Sequence, residues 1–366
     1  MSKVVDVPEG FILSTSISGN LSSIVREDII SAIRKLEDRT NKKYGAKNIG
    51  EIPLLLSIRA SPLKPIPRLM HSILNVGLND TAVERLAEMP GASRRFALDT
   101  YQRFLQMFGC FVLSVESERY DEIIKMAKSL EGVKSETELS EQGLQYLVDQ
   151  FKNLSDVPHE PFEQLWLIIQ KIYESTLVTT VDTDEGEVGI GFDSTAIIIQ
   201  RMVFGNLNSH SGTGTCFSSV VNVGGNIHGN YLPNAEGNDN RLNDHRAPHK
   251  LFELGSQLFH QLEESMKKLE LHFHHNFQYV EYTVENGHLY FLETNCVKTN
   301  PHYVNGNYLV SVENTIYERD YLDGVVDPLH PHPPQQYIPL ESTEITESIT
   351  ENPLLSGTVE ENFTSS

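Results

Sequence analysis

Tryptophan occurs once in 366 residues, and cysteine three times, at Cys110, Cys216 and Cys296. The cysteines are widely spaced and form no CxxC pair. That argues against a disulfide framework or zinc finger and points to a reducing compartment. Basic residues are scarce as well: 29 Lys and Arg face 50 Asp and Glu, for a formal net charge of −21. A nucleic-acid binder shows a basic face, and an anionic membrane repels this balance. No apolar run has the length of a membrane span, and the opening "MSKVVDVPEGF" has no apolar signal core. The expectation is a soluble cytoplasmic protein that touches neither nucleic acid nor membrane.

Enough apolar sequence is present, 39%, to bury a substantial core. The length suits two domains or one large two-part domain. Residues 1–115 alternate strand and helix patterns. "GFILSTSIS" reads as a strand, and "REDIISAIRKLEDRTNKKYG" spaces Ile29, Ile30, Ile33 and Leu36 at helical intervals. "PLLLSIRAS" is an apolar strand that delivers Arg59 to a cleft or the surface. Residues 116–195 carry three helical stripes, in "YDEIIKMAKSL", "SEQGLQYLVDQFKNL" and "PFEQLWLIIQKIYES". From 196 to 325 the period shifts to β-branched and glycine-broken strands. A helix, "PHKLFELGSQLFHQLEESMKKLELHF", interrupts them. After 326 comes a Pro/His linker, and then a tail over 341–366 with six glutamates and no Lys or Arg. Such composition predicts disorder. The layout is α+β with an antiparallel sheet in the second half.

One stretch, "VEYTVENGHLYFLETN", places Glu281, Glu293 and Asn295 around a turn. A two-residue turn at Asn286-Gly287 sets Glu281 opposite Leu292 and sends Glu293 to the other face. A three-residue loop, with Gly287 in a left-handed bulge, puts Glu281 and Glu293 on one face. Diagonal neighbours there lie roughly 7–8 Å apart, within reach of one cation. The three-residue loop is the expectation. It would bring three oxygen ligands together for a Mg²⁺ shared with nucleotide phosphates.

The order of several segments is more specific than any one of them. They are "VPEGFILST", "PLLLSIRAS…RLMHSILNVGLND", "RRFALDTYQRFLQMFG", "PFEQLWLIIQKIY", "IIIQRMVFGN…SGTGTCFS", "GNYLPNAEGND" and "VEYTVENGHLYFLETNCVKT". Over about residues 7–300 the chain resembles the N-terminal nucleotide-binding domain of the pyruvate, phosphate dikinase family. The resemblance implies an ATP-grasp-type two-part domain that uses ATP and Mg²⁺. It implies that Arg59 contacts the phosphates and that Glu281 and Glu293 bind metal, with Asn295 beside them. It implies that Gln200 and Met202 flank adenine, and that Ser211, Gly212, Thr213 and Gly214 form a mobile loop over the phosphates. Lys64, with Arg68 nearby, is the substitute for a family arginine.

The departures from the family are of equal weight. The family's Gly-Gly-Lys-Gly segment lies upstream of "VPEGF", before this chain starts. Glu293 stands where the family usually has Gln, and Asn295 stands where it has Arg. "SSVV" replaces a "TRDP" segment. Each lost cationic contact is worth roughly 1.5–3 kcal/mol in a partly closed site. The match also ends before the family's phosphohistidine and pyruvate domains. "NSHSG" falls inside the nucleotide-domain match and is not a phosphohistidine motif. The histidines of "LHFHHN" are expected on a solvated helix end. Three expectations follow. The first is an ATP- and Mg²⁺-dependent phosphotransferase acting on a small-molecule or protein phosphoacceptor, as an accessory step and not a complete dikinase. The second is a non-catalytic nucleotide sensor or scaffold. The third is a gene product whose lysine segment lies upstream of Met1.

Overall fold

The computed structural model describes residues 1–17, 23–62, 72–177, 180–183, 186–189, 195–218, 227–236, 249–274, 277–297, 302–304, 307–312 and 315–320. The expected acidic tail, Lys64 and Arg68 lie outside the described residues. The described chain mixes helices with antiparallel sheets, in agreement with the α+β expectation.

The first sheet holds β1 (Gly10–Leu13), β2 (Leu56–Pro62), β3 (Ser72–Val76) and β6 (Thr195–Arg201), in the order β1-β6-β2-β3. Its pairings are antiparallel. Leu56, Ile58, Ile197 and Ile199 are fully buried beneath helices. The helices are α1 (Ser23–Thr40), α2 (Asp80–Ala87), α3 (Arg94–Phe111), α4 (Ser117–Glu131), α5 (Glu141–Leu154) and α6 (Pro161–Leu177). Side-chain caps start several of them. Asn79 accepts from the Thr81 and Ala82 N–H groups, Ser93 from Phe96, and Ser140 from Gly143. Such caps satisfy donors that a helix cannot use itself. Sheet and helices share one core from Leu13 to Leu207. That core takes in the helices of residues 116–195 and strand β6, which begins at Thr195. A short hairpin, β4 (Thr180–Thr183) with β5 (Gly186–Gly189), lies between α6 and β6.

The second sheet has five strands: β7 (Gly212–Phe217), β8 (His228–Pro233), β9 (His249–Lys250), β10 (Phe277–Glu285) and β11 (His288–Val297). Their order is β11-β10-β7-β8-β9. Helix α7 (Ser256–His272) supplies Leu262, Met266 and Leu269 to its core. The expected longer helix is broken. Residues Leu251–Leu254 form a 3₁₀ turn, and Gly255 at φ 91° precedes α7. An unforeseen meander follows, of β12 (His302–Val304), β13 (Asn307–Val312) and β14 (Thr315–Asp320).

The N-terminal segment ties the two sheets together. Val5 packs in the second core, and the Asp6 carbonyl accepts from the Phe291 N–H at 2.8 Å. Three residues on, the Glu9 carbonyl accepts from Arg201 N–H in the first sheet, also at 2.8 Å.

Candidate functional site

Strand side chains alternate between faces. On β2, Leu56, Ile58 and Ala60 enter the core, so Ser57 and Arg59 take the opposite face. The cross-strand pair of Ser57 with Gln200 brings Gln200 to that face. On β10 and β11, Val280, Tyr282, Val284, Leu289 and Phe291 enter the second core. Glu281, Thr283 and Glu285 therefore point the other way. The two open faces meet where Arg59 Nη1 lies 3.8 Å from Glu293 Oε2. Arg59 is mostly buried, and among the described residues its Nε has no hydrogen-bond partner; nor does the buried Ser57 Oγ.

The hairpin is built differently from the expectation. Glu285 pairs with His288, so the turn has two residues, Asn286 at φ 50° and Gly287 at φ 80°. Left-handed values at both positions make a primed turn, whose twist matches antiparallel strands. Unaltered, that turn would separate the glutamates. A bulge restores them: Tyr282 pairs with Phe291, and Glu281 pairs with Glu293, leaving Leu292 as the extra residue. Glu281 and Glu293 therefore sit directly opposite each other, where Cβ atoms lie about 4.5–5.5 Å apart. Asn295 pairs with Tyr279 on the same face, and its Nδ2 donates to Glu293 Oε1 at 2.9 Å. The amide thus orients the carboxylate whose other oxygen faces Arg59.

The stretch Ser211–Gly214 is not a loop. Gly212, Thr213 and Gly214 belong to β7, a strand paired on both sides. A Cβ on Gly212 would fall 2.4 Å from the Tyr231 ring, and one on Gly214 would fall 2.5 Å from the Tyr282 hydroxyl. These glycines make room for two buried tyrosines, and the backbone is committed to sheet pairing. Ser211 is fully buried; its Oγ accepts from the Asn286 N–H at 2.9 Å and anchors the turn. Met202 is buried in the first core, with its N–H donating to the Leu55 carbonyl. Gln200 is partly open, and its Nε2 donates to the Pro8 carbonyl at 3.0 Å. His272 and His274 are exposed at the end of α7, as expected of a solvated helix end.

Sequence reasoning missed a charged junction at the other end of the hairpin. Arg201 is buried and ion-paired with Glu9, and its Nη1 lies 3.5 Å from Glu285 Oε2. Its guanidinium stacks 4.7 Å from the Tyr290 ring centroid. Glu285 Oε1 accepts from the Phe204 N–H at 2.9 Å. Burial alone would raise the Glu9 pKa, but the charge and hydrogen bond of Arg201 outweigh it and hold the carboxyl below its usual range. Burial pulls the nearby Lys42 ammonium down, against the attraction of Glu285. Nothing in the sequence marks these groups, since they come from four separate segments. Ser57 was within reach, being two residues before Arg59 on the same strand face.

No family model matches. The chain is 34% identical over 312 residues to pyruvate, phosphate dikinase of Clostridium symbiosum, covering 79% of this chain and 34% of that one. Against the Entamoeba histolytica enzyme of the same name it is 32% identical over 323 residues, 82% of this chain and 36% of the relative. The chloroplastic enzyme of Mesembryanthemum crystallinum is 32% identical over 307 residues, covering 79% and 32%. The chain belongs to the pyruvate, phosphate dikinase family. It is a partial member, related to the N-terminal domain, and it spans about a third of the length of these relatives. Among the described residues, no helix is long and apolar enough to cross a membrane.

Proposed function

We propose that this chain is an ATP-grasp-type domain that binds ATP with Mg²⁺ between its two sheets, as the nucleotide-binding part of a phosphotransferase. The observation that carries the proposal is the meeting of Arg59, from one sheet, with the Glu281–Glu293 pair of the other. Like charges directly opposite one another destabilise a sheet unless a cation joins them. The donors are all oxygens, which suits a hard cation. No group of three or more His, Cys, Asp or Glu among the described residues can hold a metal alone. That fits an ion completed by phosphate oxygens. The unpartnered Arg59 Nε and Ser57 Oγ fit an anion with acceptor oxygens.

In this proposal Glu281 and Glu293 hold Mg²⁺, which supplies charge neutralisation of the phosphates. Arg59 grips and orients the phosphate oxygens, Asn295 holds Glu293 in place, and Gln200 lies toward the base. Phosphoryl transfer rests on such positioning and electrostatics. The phosphoacceptor is a small molecule or a protein. Saturating Mg-ATP is expected to stabilise the chain by about 2.7 kcal/mol at a hundredfold excess over Kd, read by thermal denaturation. Arg59→Ala and Glu281→Ala should each abolish that gain while keeping the native circular dichroism. An unchanged melting temperature in the parent protein would overturn the proposal.

A second reading, a nucleotide sensor or scaffold without chemistry, draws support from the pairing of Arg59 with Glu293. Binding of Mg-ATP without phosphate release or transfer to any acceptor would favour it.

A further inference from the structure

Glu293 stands in an unusual place for a residue beside a phosphate-binding arginine. Its Oε2 is 3.8 Å from Arg59 Nη1, its Oε1 is held by Asn295, and Glu281 is its cross-strand partner. Arg59 and Asn295 thus both engage the Glu293 carboxylate. Arg59 is mostly buried, while Glu293 is about half exposed. Glu293 is therefore the more accessible partner of the pair, and a phosphate that binds Arg59 must compete with it.

We infer that Glu293 is a specificity-determining residue that excludes metal-free nucleotide and admits only the metal complex. The inference rests on the nucleotide reading above. A bare triphosphate meets the Glu293 carboxylate and an arginine already paired with it. Like charges a few ångströms apart repel, so an anion approaching Glu293 without a cation is disfavoured. A divalent ion changes the balance in two ways. It reverses the sign of the site, and it draws the Glu293 carboxylate toward Glu281 and away from Arg59. The guanidinium is then free for phosphate. The ion pair acts as a lock whose key is the cation carried by the substrate.

The test uses the full chain and a fluorescent ATP analogue, titrated in EDTA and again in excess Mg²⁺. The parent protein should bind well only with Mg²⁺. Glu293→Gln keeps the shape and the acceptor for Asn295 but removes the charge. It should bind about tenfold more tightly than the parent in EDTA, so its Mg²⁺ dependence shrinks. Glu264→Gln, at an exposed position on α7, controls for a general change in net charge and should match the parent. Arg59→Ala combined with Glu293→Gln should lose the gain in EDTA, because that gain passes through the released arginine. An equal ratio of Mg²⁺ to EDTA affinity in the parent and Glu293→Gln would overturn the inference and leave the nucleotide reading standing. A double variant that keeps the gain would overturn it as well. Failure of both the parent and Glu293→Gln to bind with Mg²⁺ would sink the nucleotide reading and this inference together.

Discussion

Gly214 shows how one residue type can carry two meanings. Glycine in "SGTG" suggests a backbone left bare for phosphate, yet here it leaves space for a tyrosine. A Cβ at Gly214 would lie 2.2 Å from the Asn230 carbonyl oxygen and 2.5 Å from the Tyr282 hydroxyl. The first is backbone and cannot rotate away. Tyr282 is fully buried, and its hydroxyl donates to that same carbonyl at 2.8 Å. Gly214→Ala should therefore cost about 2–3 kcal/mol by overpacking, measured by urea denaturation. If the glycine instead served phosphate, Ala would leave stability unchanged and weaken only nucleotide binding. A lone glycine does not disclose which neighbour fills its space, so this part of the site was not legible in the sequence. The strand placement of Arg59 was legible, because Leu54, Leu55, Leu56 and Ile58 make the strand apolar and the guanidinium at its end needs an open side. The partner Glu293 places it on that side.

Among elements, the β10–β11 hairpin separates what sequence shows from what it hides. Asn-Gly between alternating strands is a strong primed-turn signal, and the turn has that form. The bulge at Leu292 is hidden, because a bulged leucine resembles any other apolar strand residue. The result, two glutamates on one face, was expected; the route to it was not. The helices α1, α4, α5 and α6 were legible from their apolar period, and the Ser140 cap marks the start of α5. The glycine break before α7 was not, since Leu251 and Leu254 continue the apolar pattern through it. The turn itself is docked: Asn286 N–H reaches Ser211 Oγ, and Gly287 N–H reaches the His210 carbonyl at 2.8 Å. No atom lies near the position of a Cβ on Gly287, so Gly287→Ala tests backbone strain alone. It should cost about 1–2 kcal/mol, the penalty for an L-residue in the left-handed region. Equal urea midpoints for Gly287→Ala and the parent would show that the turn relaxes into another type.

For the whole molecule, the two cores depend on a junction that contains the only described route by which the hairpin's Glu285 is tied to the first sheet by an ion pair, through Arg201. The proposed site of Arg59 from one sheet and Glu281 and Glu293 from the other requires the sheets to keep their register, and this junction is one of the ties between them. The α+β character was legible from the change of period near 195, but the last strand of the first sheet, β6, follows that change, and its pairing with β1 and β2 assigns it to the first sheet. Arg201→Met should cost about 3 kcal/mol at neutral pH, since it leaves the largely buried Glu285 without its guanidinium. The cost should depend on pH with a definite sign. Glu9 titrates below its usual range in the folded chain, despite burial, because of Arg201. Its contribution is therefore fully present above the unfolded carboxyl value of about 4.3. It is lost as pH falls through the lower folded value. The stability gap between parent and Arg201→Met, from urea melts, should be widest near pH 7 and should narrow below about pH 4. A gap that is constant from pH 7 down to pH 3 would show that Glu9 takes no part in holding the two halves together. In that case the register of the site would rest on the strap from Val5 to Glu9 and on the docked turn.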